Sequence, residues 1–79
     1  MKVQILGTGC TKCKQLHQNV INAAAEADVA LDIEKVEDIQ EIMKAGVLST
    51  PALVIDGQIK SVGRVLNVAD IKKLITEAQ

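Results

Sequence analysis

At residue 7 the hydrophobic period of this chain changes from two to about 3.6, and that change decides most of what it can fold into. Val3 and Ile5 alternate with polar neighbours over Lys2–Leu6, the pattern of a half-buried strand, and the run ends in the loop Gly7-Thr8-Gly9. From Thr11 onward Cys13, Leu16, Val20, Ala23, Ala24 and Ala27 recur on one helical face, which predicts an amphipathic helix ending near Asp28. Val29, Leu31 and Ile33 then alternate with Ala30, Asp32 and Glu34, predicting a second strand. Two strands joined by a helical crossover pair in parallel.

The remaining residues continue the alternation. Asp38 is placed to open a short helix with Ile39, Ile42 and Met43 inward and Gly46 as its left-handed terminator. Ala52 to Ile55 is a continuous apolar run, Asp56-Gly57 is a strong hairpin signal, and Gln58 to Val62 returns as an antiparallel strand. Asn67 with Asp70 resembles a capping box, and Ile71, Leu74, Ile75 and Ala78 form the stripe of a last helix. The predicted order is β-α-β-α-β-β-α, an α/β fold in which a mixed four-stranded sheet carries helices on both faces. It is expected to be a single domain over residues 1–79.

Composition limits the function classes. With 79 residues the chain is near the size at which one core is marginally stabilising, and 48% apolar with 24% charged residues suits a folded globular chain. There is no Phe, Tyr or Trp, so the core must be aliphatic. The same lack removes the usual base-stacking platform, and a net charge of −1 attracts no polyanion, so nucleic-acid binding is not expected. The apolar run at the N-terminus is too short for a secretory segment or a membrane span. A cytoplasmic protein without membrane association is the expectation.

Cys10 and Cys13 stand in CTKC, where the first strand gives way to the first helix. A bridge between residues so close restricts little chain entropy, and a reducing cytosol keeps structural disulfides rare, so the pair is expected to serve chemistry. Cys10 falls at or just before the first helical turn and Cys13 one turn inside. The free N–H groups and dipole of that turn favour a Cys10 thiolate by at most about 2 kcal/mol, roughly one and a half pKa units. Lys12 and Lys14 are expected to add to this attraction. Cys10 should therefore titrate below a free cysteine and Cys13 above it. After Cys10 attacks a disulfide, a thiol one turn along can displace the product. A CxxC near a βαβ pattern reads as a thioredoxin-like redox motif.

Together with this element order, CTKC at 10–13 and STPALVIDG at 49–57 resemble the thioredoxin-like superfamily. Within it the chain is most similar to the small redox-active disulfide proteins of archaea and bacteria, over essentially its whole length. The resemblance implies a minimal thioredoxin fold and a thiol–disulfide oxidoreductase that reduces protein disulfides, in electron transport and cell redox homeostasis. It makes Cys10 the nucleophile and Cys13 the resolving thiol. It also implies that Pro51 is cis and lies against the dithiol, that Thr50 offers backbone hydrogen bonds to the substrate polypeptide, and that Thr11 and Lys12 lie at the substrate. No bound cofactor is implied, and the protein is expected to act as a monomer.

Several positions depart from the larger relatives. Gly9 stands where thioredoxins have a tryptophan, and the first strand, KVQIL, holds no acid to serve the second cysteine. Val62-Gly63-Arg64 replaces the Gly-Gly pair with which glutaredoxins bind glutathione. A thioredoxin-reductase-like flavoprotein is therefore the expected electron donor.

Two other classes compete. A metallochaperone domain also begins with a strand, a glycine-containing loop and CxxC, and a dithiolate suits Cu(I), but that fold ends in a strand where residues 67–78 read as a helix. A structural zinc site wants four ligands, and the chain has two cysteines and one histidine. A non-catalytic adaptor on the same scaffold is the other alternative. His17 is expected to be a partly exposed surface residue, Met43 core filler, Arg64 a solvated charge, and Asp32, Glu34, Glu37, Asp38 and Glu41 a solvent face.

Overall fold

In the computed structural model, which describes residues 1–78, the first strand β1 spans Lys2–Leu6 and becomes the second strand of a four-stranded sheet. The other elements are α1 (Thr11–Ala27), β2 (Asp32–Val36), α2 (Ile39–Lys44), β3 (Ala52–Ile55), β4 (Gln58–Val62) and α3 (Val68–Glu77). The sheet order is β2-β1-β3-β4. β1 pairs with β2 in parallel, Val3 opposite Ile33 and Leu6 opposite Val36, and with β3 antiparallel, Ile5 opposite Leu53. β3 and β4 form the expected hairpin through Asp56-Gly57, both at positive φ, with an irregularity between Leu53 and Val54.

The pleat sends alternate residues to two cores. Val3, Ile5, Leu53 and Ile55 pack under Leu16, Val20 and Ala23 of α1 and Ile71 and Ile75 of α3. Leu6, Ala52 and Val54 point to the other face, where Ile42 and Val47 cover them. Helices thus flank the mixed sheet on both faces, and among the described residues every buried side chain is apolar. The arrangement is that of a minimal thioredoxin fold. No helix among the described residues is long and apolar enough to cross a membrane.

The structure corrects three details of the sequence reading. The second strand starts at Asp32, because the N–H groups of Asp28 and Val29 close the end of α1 by bonding to Ala25 O and Ala24 O. Only after that capped turn does the chain become extended. Ile39 and Met43 do not point inward but are 61% and 70% exposed. A helix of six residues rests on a single contact line, and once Ile42 takes it, Ile39 and Met43, about 40° apart around the helix, turn aside together. Met43 is therefore not core filler. Ala78 is exposed and caps α3, its N–H bonding to Leu74 O.

Candidate active site

The loop after β1 delivers the two cysteines by a short route. Gly7 N–H bonds to Val36 O at 2.9 Å, carrying the β1–β2 ladder one residue past the strand. Gly7 is buried against the sulfur of Cys13, so closely that a methyl group there would overlap it. The backbone of Gly7 does not have positive φ, so space alone demands glycine at this position. Three residues on, Cys10 takes extended dihedrals (φ −69°, ψ 169°) and becomes the N-cap of α1.

A capping residue lends an acceptor to the free N–H groups of the first turn, a role usually filled by oxygen. Here sulfur does it: Cys10 Sγ accepts from Cys13 N–H at 3.3 Å. The two thiols are unbridged, with sulfurs 2.7 Å apart in a shared hydrogen bond. Cys10 is exposed and Cys13 is buried beneath it.

This geometry separates their titrations. The hydrogen bond from the Cys13 thiol, then the Cys13 backbone N–H, hold the Cys10 pKa below its ordinary value. Burial pushes the Cys13 pKa up, and its hydrogen bond to Cys10 pushes in the same direction. The directions are those expected from sequence, but the leading cause is not. Lys12 contributes through its backbone N–H, and the main donor is the second cysteine itself.

The remaining candidate residues lie around this pair. Thr11 and Lys12 are exposed in the first turn of α1. The Thr50–Pro51 peptide is cis, Pro51 is buried and Thr50 is exposed. A Cβ on Gly7 would lie 3.8 Å from Thr50 Cβ, so the threonine stands beside the floor of the Cys13 site. Gly63 N–H donates to Pro51 O at 2.8 Å and ties the proline loop to the end of β4. His17 is half-buried on α1 and Arg64 is exposed.

Beside Cys13 a cavity of about 300 Å³ opens, lined by Ile5, Gly7, Lys14, Lys35 and Glu37 among others. The Glu37 carboxylate reaches over Gly9: a Cβ there would lie 3.3 Å from Oε2. Glu37 is exposed, as the acidic cluster suggested, and its carboxylate also stands over this loop. The signal for this was the register: parallel pairing that sets Ile5 opposite Lys35 puts Lys35 and Glu37 on the same face as Ile5 and Gly7.

Comparison with known proteins agrees with this layout. The family described as "Thioredoxin domain" matches residues 1–76. A protein named thioredoxin from Methanothermobacter thermautotrophicus is 38% identical over 76 residues, covering 96% of this chain and 99% of the relative. A second thioredoxin, from Methanocaldococcus jannaschii, is 38% identical over 71 residues, covering 90% of this chain and 81% of its own length. With the sheet order, the helix-capping cysteine and the proline loop in place, and with a match that runs from the first strand into the last helix, the chain belongs to the thioredoxin family.

Proposed function

We propose that the chain is a thiol–disulfide oxidoreductase that reduces protein disulfides through Cys10 and Cys13. The observation that carries this reading is the asymmetry of the pair: an exposed thiol of lowered pKa, hydrogen-bonded at 2.7 Å to a buried thiol of raised pKa.

The chemistry follows from that asymmetry. The thiolate is the attacking species, so Cys10 is the nucleophile. Its attack on a substrate disulfide forms a mixed disulfide and releases one substrate thiolate. Losing its negative charge, Cys10 no longer opposes ionisation of Cys13 by repulsion and by hydrogen-bonding its thiol. Cys13 then deprotonates and attacks the Cys10 sulfur, the second substrate thiolate leaves, and a Cys10–Cys13 bridge remains. Two electrons have passed from protein to substrate within sulfur–sulfur bonds, so no bound cofactor is required.

Thr50, exposed beside this site, is the residue we assign to main-chain contact with the substrate polypeptide, with Pro51, Thr11 and Lys12 at its edge. A thioredoxin-reductase-like flavoprotein in the cytoplasm is the donor that fits, since the oxidised form must be returned to the dithiol. The relatives named thioredoxin support this reading. The copper-transfer alternative loses ground because Val68–Glu77 form the helix α3 where that fold has a strand.

The test is to equilibrate the protein in graded dithiol redox buffers with chelator present, alkylate it and weigh it. A reversible two-electron transition, with insulin reduction lost in Cys10→Ser and mixed disulfides accumulating in Cys13→Ser, is the expected result. No reversible bridge, or full turnover by Cys10→Ser, excludes the function.

A further inference from the structure

The resolving step leaves a proton to be accounted for. Cys13 is buried, it cannot attack as a thiol, and once Cys10 is in a mixed disulfide the neighbouring sulfur is no longer an anion that could take the proton. β1 offers no acid: Ile5 from the strand and Gly7 from the loop after it face the site. The cavity beside Cys13 is lined by one carboxylate, that of Glu37, together with the ammonium-bearing side chains of Lys14 from α1 and Lys35 from β2. A volume of about 300 Å³ with charged walls admits several waters. The position of Glu37 Oε2 over Gly9, the residue that precedes the nucleophile, places the carboxylate at the rim of this cavity.

We infer that Glu37 is the positioning residue for proton removal from Cys13, orienting a cavity water that takes the thiol proton as Cys13 attacks the mixed disulfide. The inference rests on the oxidoreductase reading above. In the balanced step the Cys13 S–H bond breaks and its proton passes through that water to the Glu37 carboxylate. The Cys13 sulfur forms a bond to Cys10 Sγ, and the bond from Cys10 to the substrate sulfur breaks with its electron pair on the substrate. The departing thiolate is reprotonated from Glu37 or solvent. Lys14 and Lys35 stabilise the Cys13 anion while it exists, by Coulomb attraction across the cavity. Besides these three, Cys10 lies against Cys13, and His17 stands one helical turn along α1 from it.

The probe is an aromatic disulfide that releases a coloured thiolate, mixed with the reduced protein in single-turnover stopped flow. The wild type is expected to release two equivalents in two phases: the first reports attack by Cys10, the second resolution by Cys13. Glu37→Gln should leave the first phase within about twofold of wild type and slow the second about a hundredfold near neutral pH, the low end for general-base assistance. In Glu37→Gln, Cys13 must ionise unaided, so the second-phase rate should climb with pH through the thiol's own titration and converge on wild type above it. Glu37→Asp should recover part of the rate.

A second phase unchanged by Glu37→Gln overturns the inference and leaves the oxidoreductase reading intact. Equal slowing of the second phase at every pH also overturns it, because a merely structural loss has no such pH dependence. Absence of any second release by the wild-type protein overturns both.

Discussion

Gly7 and Cys13 are fitted to each other so closely that the glycine forms the floor on which the buried sulfur rests. A methyl group on Gly7 would overlap Sγ and approach Cys13 Cβ to 3.2 Å. Neither partner can yield, since Gly7 is held by its bond to Val36 O and Cys13 by α1. Gly7→Ala is therefore expected to cost about 1–3 kcal/mol, the range for overpacking. Removing the sulfur should return part of that loss, so the penalty measured by denaturant unfolding will be smaller in a Cys13→Ala background. Additive effects of the two substitutions would exclude the contact as the cause.

The hydrogen bond between the thiols makes a prediction about titration. Cys10 owes the largest share of its lowered pKa to the Cys13 side chain and the next share to the Cys13 N–H. Cys13→Ala removes the first and keeps the second. The midpoint of Cys10 alkylation against pH should rise toward that of a free cysteine without reaching it, while Cys13→Ser, whose hydroxyl can still donate, should rise less. Lys12→Met should move the midpoint little, because Lys12 acts through its backbone.

How much of this was legible in the sequence depended on whether the signal was local. The period change at residue 7, the Asp56-Gly57 hairpin and the Asn67 cap, whose Oδ1 accepts from Asp70 N–H at 2.8 Å, each depend on near neighbours in the chain and could be read from them. The start of β2 could not, because the alternation of Val29, Leu31 and Ile33 persists through a link whose first N–H groups are committed to α1. Glu37 is exposed, as its acidic neighbours in sequence suggested. Its neighbours in space come from the pairing of β1 with β2. CTKC located the paired sulfurs, but the floor at Gly7 and the cavity beside Cys13 exist only once the strands are in register.

The exposure of α2 gives a contrast between adjacent residues. Ile42 packs among Leu6, Val47 and Val54, so Ile42→Ala should cost about 2–5 kcal/mol as a buried large-to-small change. Met43 lies in solvent, and Met43→Ala should stay within about 0.5 kcal/mol of wild type. Comparable losses in urea unfolding would mean that α2 sits rotated from the orientation described.

Asp28 ends α1 at φ 54° and ψ 45°, a left-handed conformation that Asn and Asp tolerate. Its charge is misplaced, because the C-terminal end of a helix of 17 residues is the negative end of the dipole. Asp28→Asn keeps the backbone preference and removes the charge. It should stabilise the protein by about 0.3–1 kcal/mol at low ionic strength, and the gain should shrink in molar salt. A gain indifferent to salt would exclude the dipole as its origin.

Across the sheet edge, Gln4 Nε2 donates to Glu34 Oε1 at 2.9 Å and Lys2 Nζ lies 3.6 Å from Oε2. The Gln4 hydrogen bond first, and the Lys2 charge second, lower the Glu34 pKa in the folded protein. A carboxyl whose folded pKa is depressed contributes stability that is fully present above its unfolded pKa and is lost as pH falls through the folded value. Glu34 should therefore steepen acid destabilisation below about pH 5, the upper edge of the unfolded carboxyl titration. Gln4→Ala should lower the urea midpoint slightly at pH 7 and less at pH 2.5, where acid shifts Glu34 toward its neutral form. The difference between the two pH values is thus smaller in the variant than in wild type. An equal loss at both would mean that Gln4 acts by packing in the sheet and not through the Glu34 charge.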